Sequence, residues 1–391
     1  MYELVAWSLT ILPAITCIMT LGLLIIFLFG KRHIVKCDKQ PSVSVLLPFY
    51  NEDANILIKV LEHIEKQHYS QPLQVIVIDD GSTNDTPKYL KTWLLKPRLQ
   101  NYQVLTREHN SGRKGPALDY ALAAGVLKGD IYVVVDSDTF IEPEGISHLA
   151  ARLWENPRCA AVCGSLSPVN QRGSLLEDVQ FYELIGFHGA IRSAQDRLGW
   201  VPILSGAFVA HRASAVKSVG GWGDWLVEDI SWCWKALAMN FHTGYAVDAV
   251  ATTQCPQNFQ AFLRQRRRWA RGRVEAFMTA WRVSATKGLL FAPWFIITSM
   301  QLLLPPGLIT LPLLIYFQLW PPIVLNMITL VLYLLISYIY LTFYRNRQNA
   351  TLKNILLVPV FILILESFIW WPNILGYWDE ITGKSKSWLT R

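Results

Sequence analysis

Ile131-Tyr132-Val133-Val134-Val135-Asp136-Ser137-Asp138 is an apolar, mostly β-branched run that ends in two carboxylates. A continuous apolar run of this length, without alternation, predicts a strand covered on both faces. Two further runs share this grammar: Ser42 to Leu47, and Val75 to Ile78, which leads into Asp79-Asp80-Gly81-Ser82. Tyr102 to Leu105 predicts another strand. Helical patterns separate them. Leu57, Val60, Leu61 and Ile64 share one face after Asn51, which is placed to cap that helix. Thr86-Pro87 opens the next helix, with proline suited to its first turn, and another spans about 116–127. Strands alternating with helices predict an α/β fold built on a mostly parallel sheet. In such sheets ligands bind beyond the carboxyl ends of the strands, and Asp79, Asp80, Asp136 and Asp138 all fall there.

Those positions suggest chemistry. Asp136 and Asp138 are oxygen ligands suited to Mg²⁺ or Mn²⁺, with nucleotide phosphates completing the coordination. A D-x-D triplet is common by chance, so its place at a strand end carries the weight. Asp79-Asp80-Gly81-Ser82 has the composition of a plain turn; as unpaired carboxylates at the ligand edge, Asp79 and Asp80 would also suit a base and ribose. Tyr50 offers a stacking ring and Glu52 an acceptor for a uracil edge, alongside the capping role of Asn51. Lys114 precedes a helix and is either a solvated loop lysine or one that reaches a nucleotide. Between Cys159 and Cys255 the pattern is less regular. There Glu228 and Asp229 sit among Trp225, Leu226, Val227, Ile230, Trp232 and Trp234. Charges in such a frame are rarely left unpaired. They read as a general base with a raised pKa or as partners for an arginine.

Gln265-Arg266-Arg267-Arg268-Trp269 concentrates three guanidinium groups, an amide and an indole on a predicted amphipathic helix over Phe259 to Trp281. Guanidinium forks suit phosphate oxygens. A juxtamembrane basic cluster held by anionic lipid is the competing reading, because apolar runs follow: about 289–319, split by Pro305-Pro306, then 323–344 and 355–377. Another, Leu4 to Phe29, contains Pro13 and precedes Lys31, Arg32, Lys36 and Lys39. It is long enough to cross a bilayer and lacks the basic start and cleavage site of a signal peptide. The positive-inside rule then puts the N-terminus outside and the next domain in the cytoplasm. Arg345, Arg347 and Lys353 mark a cytoplasmic loop, whereas a fully spanning last run would carry the basic tail (Lys384, Lys386, Arg391) outside. A re-entrant or surface-lying last segment avoids that conflict.

Composition agrees with a membrane protein. The 391 residues are 52% hydrophobic with 16 tryptophans, and their mean hydropathy is +0.26. A net charge of +7 on such a chain fits a cytoplasmic membrane face rather than nucleic acid. Six scattered cysteines lack metal-ligand spacing and read as reduced. No H-E-x-x-H, P-loop or ordered Ser/His/Asp set is present. The division expected is an N-terminal transmembrane helix (1–30), a cytoplasmic domain (40–258), an interfacial helix (259–288), transmembrane or interfacial helices (289–378) and a basic tail (379–391).

Asp80, Asp136-Ser137-Asp138, Val227-Glu228-Asp229 and Gln265-Arg266-Arg267-Arg268-Trp269, in that order beside membrane runs, resemble the membrane-embedded processive glycosyltransferases of family two. These are the cellulose, chitin, hyaluronan and poly-N-acetylglucosamine synthases. The resemblance covers nearly the whole chain. It departs at Val227, where many relatives have threonine, and in its single N-terminal span. It implies a GT-A, Rossmann-like catalytic domain in which Tyr50, Glu52, Asp79, Asp80, Lys114 and Asp136 bind the nucleotide. Asp138, with Asp136, would hold Mg²⁺ or Mn²⁺. Asp229, beside Glu228, would deprotonate the acceptor hydroxyl. Gln265 and Arg268 would hold the diphosphate, and Trp269 with Ser205 and Gly206 would line the acceptor. The implied activity is inverting transfer from a UDP-sugar, with UDP-N-acetylglucosamine the donor of choice. The product would be a growing β-linked exopolysaccharide of the biofilm type, made at the inner membrane and exported, with an accessory membrane subunit as a further partner. The alternatives are glycosylation of a membrane lipid, hyaluronan or glucan synthesis, and a transport or scaffold protein that only binds nucleotide.

Overall fold

The computed structural model describes residues 2–31, 40–169, 174–303, 307–344, 352 and 356–385. After helix α1 (Tyr2–Phe29), strands and helices alternate: β1 (Val43–Phe49), α2 (Ala54–Glu65), β2 (Gln74–Asp79), α3 (Thr86–Leu94), β3 (Asn101–Thr106), α4 (Lys114–Ala123) and β4 (Ile131–Val135). Then come β5 (Thr139–Ile141), α5 (Gly145–Trp154) and β6 (Cys159–Pro168). A continuous helix follows, made of α6 (Leu175–Phe181), a π-helical stretch (Tyr182–Gly189) and α7 (Ala190–Asp196). The domain closes with β7 (Phe208–Arg212), α8 (Ala213–Val219), α9 (Glu228–Ala238) and β8 (His242–Thr253). Among the described residues the helices that follow are α10 (Phe259–Val283), α11 (Ala285–Leu303), α12 (Gly307–Tyr316), α13 (Trp320–Tyr344) and α14 (Val358–Ile381).

The strands form one sheet in the order β3-β2-β1-β4-β7-β6-β8-β5. Its first half is parallel, as the buried apolar runs predict. β7 pairs antiparallel with both β4 and β6, β6 pairs parallel with β8, and β5 closes the far edge antiparallel to β8. The strands after Cys159 escaped the pattern because β6 is Cys-Ala-Ala-Val-Cys-Gly-Ser-Leu-Ser-Pro. Small residues have weak strand preference, yet all ten are buried here. Strand order reverses at β1, with β2 on one side and β4 on the other. That switch point opens a crevice at the carboxyl ends, where α/β sheets bind ligands.

Two local readings need correction. Asp53, not Asn51, caps α2: its Oδ1 accepts from the backbone N–H groups of Asn55 (2.8 Å) and Ile56 (3.2 Å). Asn51 has a positive φ of 50° and turns its side-chain oxygen to the N–H of Thr83 at 2.8 Å, tying the β1 loop to the β2 loop. The helix expected over 116–127 begins at Lys114 and ends at Ala123, just before Gly125 at φ +67°.

Among the described residues three helices are long and apolar enough to cross a membrane: Thr10–Phe29, Trp320–Tyr344 and Val358–Ile381. The first two pack against each other, with Phe27 and Tyr340 in ring contact near their C-terminal ends. Both ends meet the sheet domain. Arg197 Nη1 donates to the Ile26 carbonyl at 2.9 Å, and the Tyr340 and Tyr245 hydroxyls hydrogen-bond at 3.0 Å. The last helix behaves differently. Near its start Phe361 packs on Tyr182, in its middle Phe368 meets Phe259, and at its end Asp379 binds Arg267. α14 therefore lies along the π-helical stretch and α10 over its whole length. Cys37, Pro305, Pro306 and the charges Arg32, Lys36, Lys39, Arg345, Arg347, Lys353, Lys386 and Arg391 lie outside the described residues. The five described cysteines are free thiols.

Candidate active site

Several chain segments meet at the crevice, most of them where a strand or helix begins or ends. β4 delivers Asp136-Ser137-Asp138. The Ser137 hydroxyl donates to Glu52 at 2.6 Å, so the buried Glu52 joins the end of β1 to this loop. Tyr50 beside it is exposed. β2 delivers Asp79 and Asp80. They are not the unpaired carboxylates that the sequence suggested. Asp79 Oδ1 accepts the Ser82 N–H at 2.9 Å. Asp80 accepts from Arg107 at 2.8 Å and from the Ser111 hydroxyl at 2.7 Å. Both carboxylates are buried. Arg107 follows β3, which pairs with β2, so its place at the same sheet edge was the available signal.

Lys114, at the start of α4, is buried rather than solvated. Its ammonium lies 2.5 Å from Asp136 Oδ1, 2.8 Å from the Gly206 carbonyl and 3.5 Å from Glu228 Oε1. Burial works against its charge, but Asp136 and then Glu228 hold its pKa above the ordinary lysine value. α4 approaches this closely because Gly115 has no side chain: a Cβ there would stand 1.9 Å from the Gly223 carbonyl.

Glu228 and Asp229 form the first turn of α9, the positive end of the helix dipole. Asp229 accepts the Gly206 N–H at 2.8 Å and the Ile230 N–H at 2.7 Å. Burial pushes both carboxyls above the ordinary carboxylate range. Lys114 opposes the rise at Glu228; at Asp229 the Gly206 N–H opposes it first and Lys114 next. Ser205 and Gly206 sit on the loop before β7, and a Cβ on Gly206 would come within 2.8 Å of Asp229 Oδ2. A small cavity behind these carboxylates is lined by Leu204, His211, Trp222, Glu228 and Asp229 among others. Burial, then Lys114, lowers the His211 pKa to about 3, so the imidazole is neutral.

The arginine cluster divides its work. Arg266 pairs with the buried Glu183 of the π-helical stretch and stacks 4.1 Å from the Trp269 ring. Arg267 makes a two-pronged pair with Asp379 at 2.6 and 2.8 Å. Relief for these two charges comes from protein carboxylates rather than from phosphate or lipid. Arg268 faces the site, where Glu228, Asp229 and Asp136 support its charge against burial. Gln265, one residue before Arg266, accepts from that side chain at 2.5 Å. The structure thus brings Lys114, Asp136, Gly206, Glu228, Asp229 and Arg268 together. Glu183, Asp379 and Glu380 went unnoticed in the sequence: Glu183 is one acidic residue among apolar ones, and Asp379-Glu380 is a pair just after the last apolar run.

Asp136 and Asp138 stand one residue apart at the sheet edge, and both are partly exposed. Among the described residues no group of three or more His, Cys, Asp or Glu side chains converges as a complete cage. Mg²⁺ and Mn²⁺ bound with a nucleotide commonly take only one or two carboxylates, with phosphates as the remaining ligands. The donor set therefore fits such an ion.

Residues 131–344 match the family described as Glycosyl transferase family group 2, more than half of the chain. The chain belongs to that family. Several relatives are named for N-acetylglucosamine. A poly-beta-1,6-N-acetyl-D-glucosamine synthase of Staphylococcus epidermidis is 27% identical over 272 residues, covering 67% of this chain and 62% of that protein. An N-acetylglucosaminyltransferase of Sinorhizobium fredii is 31% identical over 255 residues, covering 62% and 60%. The chain thus spans about three fifths of the length of these curated relatives. In fold, this family member resembles a mannosyltransferase from Pyrobaculum calidifontis solved with GDP-Man and Mn²⁺. The TM-score is 0.62 at 20% identity, over 98% of this chain and all of the other. That likeness supports the GT-A architecture of the sheet domain.

Proposed function

We propose that this protein is an inverting, metal-dependent glycosyltransferase. It transfers a sugar, N-acetylglucosamine by preference, from a UDP-sugar to a growing β-linked polysaccharide at the cytoplasmic face of the cell membrane. The observation that carries the reading is the position of Asp229, held by the Gly206 N–H at 2.8 Å beside Lys114, with Arg268 facing the same carboxylates. A raised carboxyl pKa brings a base nearer to neutral pH, where it takes a proton most effectively. Asp229 accepts the proton of the acceptor hydroxyl as its oxygen attacks the anomeric carbon and the diphosphate leaves. A single displacement inverts that centre, so an α-linked donor gives a β-linked product. Negative charge grows on the departing diphosphate, and Arg268 and Gln265 stabilise it. Asp136 and Asp138 would hold the divalent ion, which when bound supplies further charge neutralisation there. The Lys114 ammonium pairs with Asp136 and Glu228 and holds both in place. The exposed ring of Tyr50 lies at the crevice edge for the base, and Trp269 lines the acceptor side. The named activities of the Staphylococcus and Sinorhizobium relatives support N-acetylglucosamine as the sugar.

A second reading, transfer of one sugar to a membrane lipid, draws on the membrane helices. α14 packs along α10 and the π-helical stretch, while α1 and α13 pack directly on each other. A polymer path needs walls on every side, whereas a lipid acceptor reaches the site from the bilayer.

A donor screen separates the readings. Membranes carrying the protein are supplied with each radiolabelled UDP-sugar, or GDP-mannose, with Mg²⁺ or Mn²⁺, and the product is sized. A long polymer from UDP-N-acetylglucosamine is expected. One sugar on extractable lipid would support the second reading. Turnover of GDP-mannose alone would overturn the uridine assignment.

A further inference from the structure

We propose that Asp379 and Glu380, at the end of α14, are positioning residues for nucleotide binding. They fix the rotation of α10 so that Arg268 and Gln265 face the donor. This rests on the reading of Arg268 and Gln265 as diphosphate ligands.

α10 is held on two sides. Toward α9, Gly272 lies against Val227, where a Cβ would come within 2.5 Å of that side chain, and Glu275 accepts the Leu226 N–H at 2.8 Å. Arg268 and Gly272 are four residues apart and so share this face. Toward α14, Arg267 and Arg271 share the neighbouring face. Arg267 makes its two-pronged bond to Asp379. Arg271 reaches Glu380 at 3.1 Å, and its other nitrogens donate to the carbonyls of Lys384 (2.6 Å) and Ser385 (3.1 Å). Two residues on, Arg273 donates to Asn373 at 2.5 Å and Tyr377 at 3.1 Å. Tyr377 in turn donates to Ser299 of α11 at 2.9 Å.

The helices approach closely because Gly376 lacks a side chain: a Cβ there would be 2.5 Å from the Arg267 carbonyl. Planar, two-pronged Arg–carboxylate contacts fix direction as well as distance. Arg267 and Arg268 are consecutive, so their directions differ by about 100° around the helix axis. Anchoring one sets the other. None of these α14 groups touches the crevice, so they act through α10.

The test uses the full-length, detergent-solubilised protein and the affinity for UDP with Mn²⁺, measured by calorimetry alongside thermal unfolding. Asp379→Asn, which keeps shape and removes charge, is expected to weaken UDP about tenfold, within the range of coupling through packed elements. Asp379→Glu, which restores the carboxylate, should recover most of that loss. Gly376→Val, which wedges the helices apart without touching a charge, should weaken UDP to a similar degree. Asp379→Asn with unchanged UDP affinity would overturn the positioning role, as would a loss that Asp379→Glu does not recover. Wild-type protein that binds no UDP would instead overturn the donor reading on which the proposal rests.

Discussion

Asp229→Asn tests the chemistry most directly. Asparagine keeps the side-chain shape and one acceptor for the Gly206 and Ile230 N–H groups, which lie 2.8 and 2.7 Å from the carboxylate oxygens. It cannot take a proton. Losing a positioned general base lowers a rate by about 10²–10⁴-fold, or about 2.7–5.5 kcal/mol in the barrier. UDP affinity should stay within about threefold, because Arg268, Gln265 and Asp136 are intact. Stability should change far less than the rate. The Asp229 pKa is raised in the folded state, chiefly by burial. Ionised Asp229 therefore opposes folding at pH values above its folded pKa, and that cost disappears below the ordinary carboxylate range. Each unit of upward shift costs about 1.36 kcal/mol at neutral pH. Asparagine removes this cost, offset by the lost attraction to Lys114 and by an NH₂ turned toward one of the two backbone N–H donors, about 1–3 kcal/mol, so the Tm at pH 7.5 should change little. The assay is initial-rate sugar transfer from pH 5 to 9, with calorimetric UDP binding and thermal unfolding on the same samples. Wild-type kcat/KM should rise with pH through the raised carboxyl pKa, and the variant should lose that limb. Turnover within threefold of wild type, or an unchanged acid limb in the residual activity, would refute Asp229 as the base.

Four further outcomes follow from the same geometry. Lys114→Met removes the ammonium between Asp136 and Glu228; breaking a buried ion pair costs about 3–5 kcal/mol. The Tm should drop at pH 7.5 and recover partly at lower pH, where Glu228 takes up a proton; a pH-independent deficit would contradict this. Gly206→Val drives a side chain toward Asp229 Oδ2, 2.8 Å from the Cβ position, so transfer should fall at least tenfold with UDP affinity retained, as read by calorimetry. Trp269→Ala should impair acceptor use more than donor hydrolysis, measured as UDP release; equal losses would make its stacking with Arg266 purely structural. Finally, the end of α14 packs on α10, which carries Arg268, so Lys384→Cys should react with a membrane-impermeant maleimide only when the cytoplasmic side is accessible. Labelling from outside intact cells would show that α14 spans.

Much of this protein was legible in its residues. The β-branched runs before Asp79 and Asp136 determined the parallel half of the sheet, because a strand buried on both faces leaves no room for polar alternation. The order of the carboxylates and the arginine–tryptophan cluster named the chemistry. Other features required the tertiary structure. β6 is built from small residues whose local preferences are weak, so only its neighbours β7 and β8 make it a strand. Asp80 looked free until Arg107 and Ser111, 27 and 31 residues away, closed on it. Lys114 read as either a loop lysine or one that reaches a nucleotide, and the fold set it between Asp136 and Glu228. Three adjacent arginines looked like one anion site, and folding gave each a different partner. Local sequence encodes period and charge, but the pairing of a charge depends on which distant segment arrives beside it. That is why Arg268 alone faces the candidate site while Glu183 and Asp379 hold its neighbours.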